Sequence, residues 1–219
     1  MPKTARKGLL PLFYTSLLIL LTLPSGSFAE IVLTEILAAP GSDWSGDGEI
    51  DWRDDEWVEI ANRGDSPVDL SDYWVSDELG DSPIRYRFSG TLQPNEAMYV
   101  TGQEAREWQL EMGLGGAGLS LRNTDGDVVL YQDIGDSVRL ADVISYRSYQ
   151  VEYERAMGRH PLESEDWILF DGLNLYHGSQ QPGTTGCIPS PGVINDCGDV
   201  GVGELDWGNL KGLYGLPEA

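Results

Sequence analysis

The sequence is poor in positive charge, histidine and cysteine. Of its 219 residues, 14 are Lys or Arg, 36 are Asp or Glu, two are His and two are Cys. So negative a surface repels phosphate backbones and anionic lipid heads, which excludes nucleic acid as an expected partner and favours divalent cations. Zinc is not expected, because His160 and His177 belong to no His-x-x-x-His pair and the cysteines form no Cys-x-x-Cys pair.

Signatures of catalysis are also scarce. There is no Gly-x-Ser-x-Gly motif, and both histidines stand in turn-like contexts. Carboxylates are so numerous that no pair stands out as an acid–base couple. We therefore expect a protein that is not an enzyme, with a hydrolase of unrecognised site as a distant alternative.

Residues 1–29 have the features of a secretory signal peptide. A basic start precedes the apolar run Leu9–Leu23, which is shorter than the roughly 20 residues of a membrane span. We expect cleavage after Ala29 and a secreted or periplasmic protein with no membrane contact afterwards; the alternative is an uncleaved anchor. Cleavage would remove three of the 14 basic residues and no acidic one, so the net charge would change from −22 to −25.

The two cysteines, Cys187 and Cys197, most simply form one disulfide in an exported chain. The bridge would close a short loop that contains Pro189, Pro191 and Gly192. In the chain-entropy model it would stabilise the fold by about 3 kcal/mol. The alternative is two free thiols.

Helical periodicity is limited to Gln103–Met112, whereas short apolar runs between turn residues recur along the chain. Many short strands with regular turn signals predict an all-β sandwich or barrel. The predicted strands are Ile31–Leu37, Glu56–Ala61, Tyr73–Asp77, Arg85–Phe88, Ala97–Thr101, Leu119–Asn123, Val128–Gln132, Ala141–Tyr146, Val151–Ala156 and Trp167–Phe170. "NTDGD" (Asn123–Asp127) is interpreted as a hairpin turn.

Four stretches resemble the lamin tail domain family in its exported bacterial form. They are IVLTEILAAP, DEWVEIANRGDSPVDLSDYWVSD, GTLQPNEAMYV and PSPGVIN, and the second is the most specific. Two departures are Asn95 and Asp72, where the family usually has Gly. The resemblance implies an immunoglobulin-like β-sandwich over residues 30–196, followed by a loosely ordered tail at 197–219.

The second stretch contains the integrin-recognition tripeptide Arg63-Gly64-Asp65. It lies between two predicted strands, where Asn62, Gly64, Asp65 and Pro67 are ordinary turn residues. The family resemblance also places a Gly/Asp turn here. Integrin binding through this tripeptide is therefore not expected.

"DWSGDGEIDWRD" (Asp43–Asp54) matches the spacing of a twelve-residue calcium loop. Oxygen ligands fall at alternate positions, Gly48 takes the sharp bend, and Ile50 occupies the position of the buried side chain. The expected Ca²⁺ ligands are Asp43, Ser45, Asp47, Glu49 (through its backbone carbonyl), Asp51 and Asp54. The alternative is a solvated acidic loop, because the flanks are strands rather than paired helices.

Trp44 and Trp52 flank this loop and are the candidate ligand-contacting aromatics, since two aromatic rings beside calcium can bind sugars. The alternative is that they pack the loop onto the sandwich. The function that follows is a secreted, non-catalytic binding or scaffold module, stabilised by calcium, whose partner is an extracellular protein or glycan. A carbohydrate-binding accessory module is the competing interpretation.

Overall fold

Alternating apolar residues form two antiparallel sheets in the computed structural model, which describes residues 30–80 and 83–198. The predicted signal peptide (1–29) and all but the first two residues of the predicted tail (197–219) lie outside these described residues. The elements are β1 (Ile31–Leu37), β2 (Trp57–Asn62), β3 (Val68–Asp69), β4 (Tyr73–Ser76), β5 (Tyr86–Arg87), β6 (Thr91–Leu92), β7 (Ala97–Thr101), α1 (Gly102–Glu111), β8 (Gly126–Ile134), β9 (Ser137–Tyr146), β10 (Ala156–Arg159) and β11 (Trp167–Phe170).

The larger sheet has the order β11-β10-β1-β2-β7, and the second has the order β5-β4-β8-β9. A separate small ladder joins β3 to β6. Side chains from the inner faces of both sheets form one buried cluster, to which Ile36, Ile60, Val75, Leu130 and Leu169 belong. Each such side chain contributes about 1.5–3 kcal/mol when it is fully buried. The predicted all-β sandwich is confirmed.

One edge of the sandwich is joined by a buried ion pair between the sheets. Arg159 at the end of β10 donates from Nη2 to both carboxylate oxygens of Asp142 on β9, each at 2.9 Å. Asp142 also accepts the backbone N–H of Leu33 on β1 at 2.9 Å. The edge of the four-stranded sheet is thereby held against the middle of the five-stranded sheet.

The helix α1 follows β7 without a loop because Thr101 caps it. The Thr101 hydroxyl accepts the N–H of Glu104, and the Glu104 carboxylate accepts the N–H of Thr101. The bounds of α1 agree with the predicted helix Gln103–Met112 to within one residue at each end. No helix within the described ranges combines the length and apolarity needed to cross a membrane.

Two strand predictions are wrong. Leu119–Asn123 is not a strand: Ser120 has φ 62°, and the N–H of Leu121 is taken by the buried carboxylate of Glu56 at 3.0 Å. Val151–Ala156 is mostly a turn, since Glu154 has φ 55° and its N–H bonds Ala39 O at 2.9 Å. In both segments, contacts distant in sequence override the local alternation of apolar residues.

The predicted hairpin turn at Asn123–Asp127 is also wrong. The hairpin joins β8 to β9 twelve residues later in the chain, where Ile134 pairs with Ser137 and Gly135 adopts φ 68°. The two-residue Gly135-Asp136 connection has Gly at the first turn position, which is a weaker hairpin signal than Asn-Gly or Asp-Gly.

Candidate functional site

The acidic loop between β1 and β2 is folded around its own carboxylates. Asp43 accepts the backbone N–H groups of Gly46, Asp47 and Gly48 at 2.7–3.1 Å. Desolvation opposes its ionisation, but these amides outweigh that effect and lower the pKa of Asp43 below its ordinary value. Gly48 takes φ 93°, so the bend predicted at this position is confirmed.

Asp55, which was not among the predicted ligands, holds the loop closed from within. It is fully buried, and it accepts the N–H of Ser45 and the N–H of Asp51, each at 2.8 Å. One carboxylate therefore joins the two halves of the loop. Asp55 directly follows Asp54, the last residue of the twelve-residue calcium pattern, so a match to that pattern does not include it.

Asp54 connects the loop to the helix. Its Oδ2 lies 2.6 Å from Nη2 of Arg106 on α1, and its backbone carbonyl accepts the N–H of Gln103 at 3.0 Å. Burial raises the pKa of Asp54, Arg106 opposes the rise, and the charges of Asp51, Asp47 and Asp55 add to it. The loop charges are thus close enough to act on one another. Arg106 was missed because it lies 52 positions away in sequence.

The six predicted ligands do not converge on one point in this conformation. Asp47 accepts the N–H of Glu49 at 2.9 Å, Asp51 accepts the N–H groups of Arg53 and Asp54 at 2.8 and 3.2 Å, and the Ser45 hydroxyl lies 3.4 Å from Asp43. Within the described residues, no three His, Cys, Asp or Glu side chains are grouped so that they would hold a metal ion. The calcium site stays a prediction.

Unpaired buried polar atoms nevertheless gather around the loop. Among the described residues, seven buried side-chain nitrogen or oxygen atoms lack a hydrogen-bond partner, and four of these belong to Trp44, Asp54, Glu56 and Trp57. Two are carboxylate oxygens, Asp54 Oδ1 and Glu56 Oε1. Burial raises the pKa of Glu56 well above its ordinary value. A hard cation prefers oxygens of this kind, so the donor chemistry around the loop fits Ca²⁺.

Three apolar residues of the loop have different surroundings. Trp44 packs edge-on against Trp57, with ring centroids 6.0 Å apart, in a cluster that includes Cys187. Trp52 is 55% exposed and lies beneath the guanidinium of Arg53 at 4.9 Å. Ile50, expected to be buried, is 64% exposed. Of the two tryptophans, Trp52 is therefore the exposed one, and Trp44 is half-buried.

The tripeptide Arg63-Gly64-Asp65 forms a turn, as predicted. Asn62 Oδ1 accepts the N–H of Gly64 at 2.9 Å, and its Nδ2 donates to Ser66 O at 2.7 Å. The Arg63 guanidinium lies 2.6 Å from Glu30 and 2.7 Å from Glu165. An integrin would have to displace both carboxylates to engage this arginine.

The structure joins Cys187 to Cys197, so the predicted disulfide is supported, with a Cα–Cα distance of 4.9 Å. The bridge packs against Trp57 and Phe170 on the outer face of the five-stranded sheet.

Comparison with known protein families assigns this chain to a family. The family model described as Lamin Tail Domain matches residues 24–148, more than half of the chain. Comparisons with curated proteins and with solved structures give no significant match.

Proposed function

Because this chain belongs to the lamin tail domain family, we propose that it is an exported, non-catalytic binding or scaffold module whose acidic loop is stabilised by Ca²⁺. The family supplies an immunoglobulin-like domain but no ligand, since a fold does not determine a partner. The disulfide supports an oxidising compartment, because such bridges persist in exported proteins.

The observation that carries the calcium proposal is the state of Asp54. It stands at position 12 of the loop, where a calcium loop places its last carboxylate ligand. Within the described residues, its buried Oδ1 has no hydrogen-bond partner, while Arg106 pairs with the other oxygen. Burying an unpaired carboxylate oxygen is costly, and a divalent cation would remove that cost.

A cation at this loop would also stabilise α1. The backbone carbonyl of Asp54 accepts the N–H of Gln103, the backbone carbonyl of Glu56 accepts the N–H of Gly102 at 2.7 Å, and the Arg106 side chain pairs with the Asp54 carboxylate. The first turn of the helix is therefore built on the end of the loop. Ordering the loop would order the helix start, so calcium should raise the stability of the domain as a whole.

The binding or scaffold role is supported by where the other reactive groups lie. Glu35 and Glu59 are fully buried beneath the loop that the disulfide closes, and Nδ1 of His160 lies 2.9 Å from the backbone carbonyl of Asn195. These groups are engaged within the fold rather than directed into a cleft. Loops and exposed rings such as Trp52 are the surfaces left for a partner.

A calcium titration of the purified protein tests this proposal, followed by tryptophan fluorescence and by thermal unfolding, with EDTA as the reference. Extracellular-type loops bind with dissociation constants of about 0.1–1 mM. At tenfold excess over that constant, binding only the folded state adds about 1.4 kcal/mol, which raises Tm by roughly 3–6 °C for a domain of this size.

The matched variants are Asp47→Ala, in the loop, and Asp136→Ala, in the exposed β8–β9 turn. Asp136→Ala should keep the full calcium response and Asp47→Ala should lose it. No saturable change up to several millimolar calcium, or an equal response in both variants, would refute a loop site. Turnover of ester, phosphate or nucleic-acid substrates by calcium-loaded protein would overturn the non-catalytic role, and retention on a glycan array would favour the carbohydrate-binding alternative.

A further inference from the structure

Two buried glutamates face each other on the outer side of the five-stranded sheet. Glu35 on β1 is the register partner of Glu59 on β2, and both side chains are fully buried. Directly opposed like charges are destabilising in an antiparallel pair. The pair therefore needs a proton, hydrogen-bond donors, or both.

The segment Cys187–Cys197, named here the C-terminal strap, supplies donors to both carboxylates, and the Thr34 hydroxyl on β1 donates to Glu59 Oε1 at 2.7 Å. Ser190 donates its N–H and its hydroxyl to Glu35 Oε2 at 3.2 and 3.4 Å, and the N–H of Gly192 donates to Glu59 Oε2 at 2.7 Å. Asn195 Nδ2 donates to the backbone carbonyls of Thr34 and Arg159, both at 3.0 Å. Within the described part of the chain, no donor reaches Glu35 Oε1.

Apolar contacts at both ends of the strap keep water from this site. Cys187 packs with Leu37, Trp57, Ala156 and Phe170 on one side of the glutamates. On the other side, Ile194 packs against the buried cluster of Val32, Ala61 and Leu162. The carboxylates lie between the two clusters, so their charge is desolvated for as long as the strap covers the sheet.

Among the described residues, no cation acts on the pKa of Glu35 or Glu59. Tyr99 on β7 is the register partner of Glu59, Gly158 on β10 is that of Glu35, and His160 lies at the Asn195 end of the strap. Arg159 is directed to Asp142, and the strap itself contributes Asp196.

Burial raises the pKa of both carboxyls, Glu59 to about 7, and the neighbouring charge of Glu59 raises that of Glu35 further. The donors from Ser190, Thr34 and Gly192 lower these pKa values, but burial outweighs them. A carboxyl whose pKa is higher in the covered state fully favours that state at pH values below its ordinary pKa. This preference is lost as the pH rises through the pKa that the carboxyl has in the covered state.

We propose that the C-terminal strap is a pH-dependent cover, held on the sheet while the Glu35–Glu59 pair keeps a proton and released when both carboxylates ionise. The proton passes to solvent, and the separating strap lets water reach both charges. The disulfide keeps the released segment a closed loop, so release is local and reversible. The uncovered surface is the outer face of β1 and β2.

Hydrogen–deuterium exchange of the disulfide-intact protein, with protection factors normalised for intrinsic rates, tests this at about pH 5 and about pH 8. If Glu59 alone changes from its ordinary pKa of 4.5 to about 7, strap protection should fall by at most about 70-fold between these conditions. We expect a fall of at least tenfold in strap peptides and none in peptides of the β8–β9 hairpin.

Glu59→Gln and Glu35→Gln/Glu59→Gln should keep the strap protected at the higher pH, because an amide resembles the protonated carboxyl. His160→Asn should leave the pH dependence in place, which separates the glutamates from the nearby histidine. NMR titration of the wild-type glutamate carboxyl signals needs no variant, and two of them should titrate in step with the strap amides.

Three outcomes would overturn the proposal. The first is equal strap protection at both pH values. The second is an equal fall in the hairpin, which would show global unfolding instead of local release. The third is an unchanged pH dependence in folded Glu59→Gln.

Discussion

Arg159→Met should be among the most damaging single substitutions in the domain. The Arg159 side chain is 3% exposed and binds both oxygens of Asp142, while its Nε and Nη1 donate to the carbonyls of Leu33 and Ser164, each at 2.9 Å. One side chain therefore links β1, β9 and β10 across the two sheets. Methionine has a similar apolar stem but provides none of these donors.

The magnitude follows from the balance at Asp142. Burial raises the pKa of Asp142 above its ordinary value even though the Arg159 guanidinium lowers it, so desolvation outweighs the attraction. Removing the arginine leaves a buried carboxylate and two carbonyls without their partner. Breaking a buried pair in this way costs about 3–5 kcal/mol. The assay is equilibrium urea unfolding at neutral pH.

Arg63→Met is the matched control, because Arg63 also contacts two carboxylates but its partners Glu30 and Glu165 are exposed. That exposed network should contribute about 1 kcal/mol or less. Arg159→Met/Asp142→Leu should be more stable than the sum of the two single losses predicts. Equal costs for Arg159→Met and Arg63→Met would refute the argument that burial makes the first pair critical.

Two further outcomes follow from the geometry. Gly158→Ala would place a Cβ closer to the buried Phe170 ring than van der Waals contact allows, and it should lower the free energy of unfolding by about 1–3 kcal/mol in thermal unfolding. Gly115→Ala meets open space and should lower it by about 0.5 kcal/mol or less. Equal losses in the two variants would contradict the close approach at Gly158. Asp65→Glu should leave adhesion of integrin-bearing cells unchanged, because Arg63 is held by two carboxylates, and a lost adhesion would show that the tripeptide is recognised.

Short apolar runs between turn residues were sufficient to predict three strands with their bounds. Ile31–Leu37, Ala97–Thr101 and Trp167–Phe170 are strands with the predicted bounds. The pattern was misleading where a distant carboxylate competes for backbone donors, as Glu56 does at Leu121. β10 was displaced for a similar reason, since the residues before Ala156 curl back to Ala39. The periodicity of apolar residues alone carries no information about hydrogen-bond partners that are distant in sequence.

In the acidic loop too, the sequence predicted some features and missed others. Spacing predicted the bend at Gly48 and the crowding of carboxylates, because both are properties of adjacent residues. It could not predict that Asp55 closes the loop, that Arg106 takes one oxygen of Asp54, or that Trp44 is packed while Trp52 is exposed. Each of these depends on which surface the loop meets once β1, β2 and α1 are assembled.

The extent of the structural unit follows from where buried groups find their partners. The family match ends at residue 148, yet β1 in the centre of its sheet is paired on one side by β10, beyond that limit. Glu35 and Glu59 lie within the matched segment, but Ser190 and Gly192, which bond them, lie outside it. A buried carboxylate without those donors would be too costly to keep. The strap, which also bonds the backbone carbonyls of Thr34 and Arg159 through Asn195, is therefore an integral part of the sandwich although it lies outside the matched residues.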